Sequence, residues 1–343
     1  MLSAEVWQQS QQQAAQAVYK TWWEEADSST EEQRLEMVRL GLLAQNQEIA
    51  VTVGDAVANR WVNESRFVEA QDLCQEIMAV FQDYRILGTV ARAEAVLGQV
   101  NEALAHYRQA LAACPEDASV RQSATLGNMA GVIADQGEIE QALQLWNQSL
   151  ELYERIGDVQ GKAATLAWIA YIAGETGDKA RQLTLNLQAA QALGQVRAYV
   201  DLVTVLGNLG TTAESNARVY LAQAIWLCLR IQAPLVSTLN RISRLFNAVP
   251  QGDVLEMLLA ATALWFCNVR GEGHPQIAQL QEDSFKLLVI AAETQGIQIE
   301  EALEAWFIQQ QLNDPNFFVP QLNQRLEEMI GDGWLFDPNA VGR

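Results

Sequence analysis

The glycine–lysine pair Gly161-Lys162, inside "GDVQGKAAT" (Gly157–Thr165), comes nearest in this sequence to a loop that could cradle phosphate. A P-loop places another glycine five positions before that pair and a Ser or Thr directly after the lysine, so that backbone N–H groups ring the phosphates and a hydroxyl reaches the metal. Here Ile156 occupies the first position and Ala163 the second. The preceding "ALQLWNQSLELYERI" has helical periodicity, whereas a P-loop follows a strand. The stretch therefore reads as a turn between helices, with Asp158 able to cap the next one by accepting backbone N–H groups.

Other chemistry is equally thin. The chain has two histidines, His106 and His274, and four cysteines, Cys74, Cys114, Cys228 and Cys267, with no CxxC pair. No second histidine or cysteine stands at metal-ligand spacing from either histidine, so the expectation is no metal and no cofactor. His106, beside Tyr107, has a solvent-facing or groove-edge position as its ordinary reading; His274 lies in the loop "GEGHP" near Glu272 and Asp283. Carboxylate clusters such as "LEEM" and "QEDSF" sit on helical stretches, where charge runs are solvated faces. No G-x-S-x-G elbow offers a nucleophile. The expectation is a protein that is not an enzyme and has no catalytic residues.

The bulk composition says what must position these residues. Half of the 343 residues are hydrophobic, and there are 21 glycines and 7 prolines among long stretches of Ala, Leu, Gln and Glu. Such residues form helices, and strand-like alternation is largely missing. Forty-two acidic residues against 22 basic ones give a net charge of −20. That field repels nucleic acid and favours a basic or neutral protein partner. Separated cysteines suit reduced thiols. The N-terminus lacks the pattern of a signal peptide. Uncharged apolar runs such as Met257 to Cys267, eleven residues, are too short for a bilayer span. The expectation is a cytoplasmic protein without membrane insertion.

An internal repeat gives the architecture. "LGQVNEALAHYRQALAACP" and "QGEIEQALQLWNQSLELYERIGD" share glycine, alanine, aromatic and small residue at matched spacing: Gly98, Ala103, Tyr107, Ala110 and Gly137, Ala142, Trp146, Ser149. A weaker copy has Ala70 and Cys74; a later one keeps Gly177 but has Gln182 in place of the alanine. Upstream of each turn another helix carries its own small residue, Ala58, Ala91, Ala130 or Ala170. Each unit thus reads helix, tight turn, helix. The glycine supplies a left-handed cap, the small residues allow close approach, and the aromatic plugs between units.

From about Val51 to about Ala233 this pattern resembles the tetratricopeptide (TPR) repeat. Its alanine positions, 70, 103, 142 and 182, are 33, 39 and 40 residues apart. The first interval suits the standard repeat of about 34 residues; the longer ones are similar to the long-repeat variety of bacterial, including cyanobacterial, regulators. The resemblance implies an all-α, right-handed TPR superhelix, an α-α solenoid, with N-terminal capping helices and a C-terminal helical region. The division expected is 1–46 for the cap, with Trp7, Trp22 and Trp23 to cover the open end, 47–233 for the solenoid and 234–343 for the C-terminal region. In that last part helical periodicity continues through "PLVSTLNRISRLFNAV", "GDVLEMLLAATALWFCNVRG" and "QIAQLQEDSFKLLVIAAETQG".

A TPR solenoid binds protein or peptide on the concave face lined by the first helix of each repeat. The side of those helices opposite the packing alanines offers Asn59, Arg85, Arg92, Asn128 and Asp135, and further along Trp168, Tyr171 and Asn208. Asparagines there can hold an extended peptide through paired backbone hydrogen bonds, and glycines such as Gly88 and Gly131 leave room for it. The alternative for the recurring Gly127-Asn128 and Gly207-Asn208 pairs is close helix packing. A clamp for C-terminal carboxylates is not expected, since lysine is absent from this row. The function expected is a protein- or peptide-binding scaffold or adaptor. The alternative is a ligand- or peptide-sensing regulator that switches a partner protein. Oligomeric state is not encoded in any pattern here.

Overall fold

The computed structural model describes residues 4–26, 28–213, 216–231 and 326–341, with a few positions between 241 and 324. Of the C-terminal stretches expected to be helical, 252–271 and, apart from positions such as Arg241, 234–249 lie outside the described residues, as does the loop carrying His274.

The described residues form α-helices joined by short turns, with no strand among them. In order they are α1 (Ala4–Tyr19), continued by a π turn (Lys20–Glu24), α2 (Glu31–Leu43), α3 (Gln47–Asn63), α4 (Phe67–Met78), α5 (Tyr84–Val96) and α6 (Val100–Ala113). They continue with α7 (Ser119–Asp135), α8 (Ile139–Ile156), α9 (Val159–Glu175), α10 (Lys179–Gln195), α11 (Tyr199–Thr212) and α12 (Ala217–Arg230). The expected all-α solenoid is what this chain builds: within each of its units, neighbouring helices such as α3–α4, α5–α6, α7–α8 and α11–α12 pack as antiparallel hairpins. Among the described residues no helix is long and apolar enough to cross a membrane.

The chain divides into two compact units, Met1–Gly161 and Lys162–Arg343. In the first, α3–α4, α5–α6 and α7–α8 are hairpins whose first helices α3, α5 and α7 lie side by side in one layer. At the N-terminus α1 and α2 pack on α3. Trp22 and Trp23 are half-buried against this core, while Trp7, expected to help cover the end, is exposed. In the second unit α10 packs on α11 and α11 on α12, and the segment 326–341 returns onto them.

Every small residue of the repeat pattern is at a helix crossing. Ala58, Ala70, Ala91, Ala103, Ala130, Ala142 and Ala170 are fully buried, as are the plugs Tyr107 and Trp146. The Trp146 indole N–H donates to the Gly127 carbonyl at 3.1 Å, and the Ser149 hydroxyl to the Ser123 carbonyl at 2.9 Å, so the polar atoms carried into the core are paired. Where the pattern drifts, the structure compensates. Gln182 replaces the alanine, and Gly174 on α9 gives up the space: a Cβ there would lie 2.4 Å from the Gln182 amide. The next plug position holds Asn186, which is buried with its Oδ1 unpaired.

The turns repeat more faithfully than the sequence does. Gly98, Gly137, Gly157 and Gly177 adopt φ of +78°, +86°, +73° and +85°. At each, the following N–H reaches back to the carbonyl five residues before it, for example Gln99 to Glu94 at 2.9 Å. Gln45, Ser65 and Arg197 make the same turn with φ of 52°, 64° and 59° although they carry a Cβ. A left-handed residue other than glycine costs about 1 kcal/mol. Ser65→Gly is therefore expected to raise the unfolding free energy by about 1 kcal/mol in chemical denaturation, whereas Gly98→Ser lowers it.

Candidate functional site

The first-helix face of unit one is polar, and its residues are largely bound to one another. The α3 residue Asp55 is 4% exposed and accepts from Thr89 Oγ1 on α5 at 2.8 Å and from Asn59 Nδ2 at 2.7 Å. It also pairs with the guanidinium of Arg121 on α7. One carboxylate thus ties three successive first helices together. Asn59 is committed on both sides: its amide N–H groups go to Asp55 and to Thr89, and its Oδ1 accepts from Arg92 at 2.8 Å. Arg92 also donates to Asn63 Oδ1 at 3.1 Å.

Arg85 is similarly occupied. Its guanidinium donates to Asp83 at 3.0 and 3.2 Å and to Thr52 Oγ1 at 3.2 Å. Burial would push the Asp83 carboxyl up, but hydrogen bonds from the Arg85 side chain and backbone, together with Gln47, outweigh it and hold the group below its usual range. The same pairing raises the Arg85 guanidinium. Of the residues the sequence placed on this face, Asn59, Arg85 and Arg92 are therefore braces between repeats, while Asn128 and Asp135 on α7 are exposed. The residues that complete the braces, Asp83, Thr89 and Arg121, were absent from that reading.

The glycines read onto the first-helix face are not forced by close packing. A Cβ on Gly131 would meet nothing within 4 Å, and one on Gly88 would come no closer than 3.6 Å to Thr125 Oγ1, so neither is needed for helix packing. They leave the face shallow. Gly127 is alike, with Ser149 Oγ 3.6 Å from where a Cβ would be, and at Gly207 that distance to the Arg241 guanidinium is 3.5 Å, so ordinary contact would accommodate a side chain at both.

Unit two carries the apolar feature. Trp168 and Tyr171, one turn apart on α9, are 57% and 54% exposed, with ring centroids 6.5 Å apart at 88°. The opposite side of α9, with Leu166, Ile169, Ala170 and Ala173, is buried. Trp168 is therefore a surface residue and not a plug between repeats. Asn208 on α11 is half-buried, and its carbonyl accepts from the Thr211 hydroxyl at 2.7 Å.

Chemistry remains sparse at the motifs singled out above. Gly157 and Asp158 close the turn before α9, with the Gly161 N–H donating to Asp158 Oδ1 at 2.9 Å. A Cβ on Gly161 would fall 2.2 Å from the Tyr153 ring, so that glycine admits an aromatic side chain, not a phosphate. His106 is partly exposed, and its Nδ1 lies 2.7 Å from Oε2 of buried Glu94 on the partner helix of its hairpin. Burial raises the Cys74 thiol well above its ordinary value, which keeps it inert.

No protein-family model matches the chain, and no curated protein matches it. Among solved structures it is similar to BtubC (BKLC) from P. vanneervenii, at 15% identity and a TM-score of 0.45, covering 68% of this chain and 94% of that one. It is also similar to the C-terminal part of a TPR repeat-containing protein from Cytophaga hutchinsonii, at 11% identity and a TM-score of 0.36, covering 70% of this chain and 96% of that one.

Proposed function

We propose that this chain is a TPR-type scaffold that binds a protein or peptide partner on its first-helix face and has no catalytic activity of its own. The observation that carries this reading is the exposed Trp168–Tyr171 pair on α9. Paired aromatics held edge to face in water are costly to leave bare and are the side chains on which binding energy concentrates. Its net charge of −20 favours a partner with a basic or neutral surface.

The test compares variants against a partner recovered by cross-linking to the full chain. Trp168→Ala is expected to weaken that partner by ~2 kcal/mol or more, about thirtyfold in Kd, with the melting temperature unchanged. Trp7→Ala, an equally exposed tryptophan on α1, should leave the affinity alone. Equal binding by wild type and Trp168→Ala would remove α9 from the interface.

A further inference from the structure

The C-terminal segment is held as a bound peptide would be held. Gln223 on α12 is completely buried in the run Leu221–Cys228, whose other buried residues are apolar. Its Nε2 donates to the Gly333 carbonyl at 2.9 Å, and its Oε1 accepts the Leu335 N–H at 2.9 Å. One side-chain amide thus reads both polarities of a non-helical backbone more than a hundred residues away in sequence, the grip expected above of asparagines on the first-helix face. Without an occupant this amide would keep only its long 3.4 Å bond to the Val219 carbonyl of its own helix.

Both sides are cut for that approach. A Cβ on Gly194 of α10 would lie 2.8 Å from the Leu335 carbonyl, and one on Gly333 would lie 2.9 Å from Val219 of α12. Glycine on the helix lets the segment's backbone in, and glycine on the segment lets the helix in. The side chains then seat in an aromatic recess. Trp334 meets Trp226 edge to face at 5.0 Å, and Phe336 lies 6.2 Å from Tyr199 and 6.1 Å from Trp226. The Arg230 guanidinium lies over the Trp226 ring at 4.9 Å; the same elements and their turns also carry exposed Arg197 and Arg218, and the segment carries exposed Asp332 and Asp337.

We propose that α10–α12 form a second peptide-binding site, separate from the first-helix face, and that residues 331–341 fill it as a tethered competitor. The partner it fits is a protein segment of non-helical, bent backbone with a small residue, then aromatic, aliphatic and aromatic side chains, flanked by carboxylates. The chain's own "GDGWLFDP" defines that chemistry. Tethering makes binding of the internal segment intramolecular, so an outside peptide must compete with it. The inference does not depend on the Trp168 surface.

Two measurements on the full chain test it. In the wild type, amide hydrogen exchange should be at least about a hundredfold faster at Leu335 than at Ile225 of α12, since a displaceable segment opens without the fold. Equal protection would make the segment an integral part of the fold and overturn the proposal. The second uses a labelled synthetic peptide, GDGWLFDPNA. Trp334→Ala, which loosens the internal segment, should bind it at least about tenfold more tightly than wild type does. Adding Gly194→Ala to that variant should abolish the binding, because the new methyl occupies the peptide's path while suiting the helix. No binding by a Trp334→Ala protein of unchanged helicity would overturn the proposal.

Discussion

Ala142→Glu is expected to lower the unfolding free energy by about 4 kcal/mol or more, the largest effect of any substitution on the repeat pattern. Ala142 is on α8, fully buried in the hairpin that α8 makes with α7. A glutamate there must either carry an unpaired charge into the core or force the helices apart, and the latter strips Trp146 of its seat and of its bond to the Gly127 carbonyl. Gln144→Glu, an exposed position two residues on, adds the same charge to the same helix and should stay within about 0.5 kcal/mol of wild type. Urea denaturation of the pair measures the difference. Equal stabilities would mean that the small residues do not set the helix spacing.

That prediction was readable from sequence because the alanine, aromatic and small-residue spacing is local, spanning two turns of one helix. The left-handed turns were readable only where glycine marks them, as at Gly98, Gly137 and Gly177. Ser65 and Arg197 reach the same backbone by accepting a modest strain, so their repeats lost the signature while keeping the shape. Faces were legible too, but partners were not. Helical periodicity puts Asn59, Arg85 and Arg92 on one side, yet whether each meets water or the next repeat depends on how neighbouring helices are rotated, which no single helix encodes. The grip of Gln223 on residues 333–335 had no local pattern at all. Its one trace was a lone amide in "VYLAQAIWLCL", and its partner lay at the far end of the chain.

Those braces lead to the second large effect. Asp55→Ala should cost about 3 kcal/mol, because it removes the buried acceptor of the Thr89 hydroxyl and the charged acceptor of the Asn59 amide, which keeps only the residue 55 backbone carbonyl and Thr89. It also cuts the connection from α3 to α5 and α7. Arg121→Ala removes the charged partner but should cost only about 1 kcal/mol, since its side chain is 44% exposed and the ion pair is screened by water. The asymmetry is the signature of a carboxylate held chiefly by neutral donors. Thermal melts of the two variants should therefore differ widely, with Asp55→Ala also broadening the transition as the α3–α4 hairpin loosens from the rest of its unit. Equal costs at the two positions would assign the brace to the ion pair. In Asp55→Ala, Asn59 loses one acceptor but keeps the residue 55 backbone carbonyl and Thr89, and Arg92 keeps Asn59 Oδ1, so the polar first-helix face becomes available to an outside ligand only through losses that also weaken the stacking of its repeats. That opposition explains why the binding surface proposed here rests on the aromatic pair of α9 and not on the arginines of α5: the arginines are already spent in holding the repeats in register.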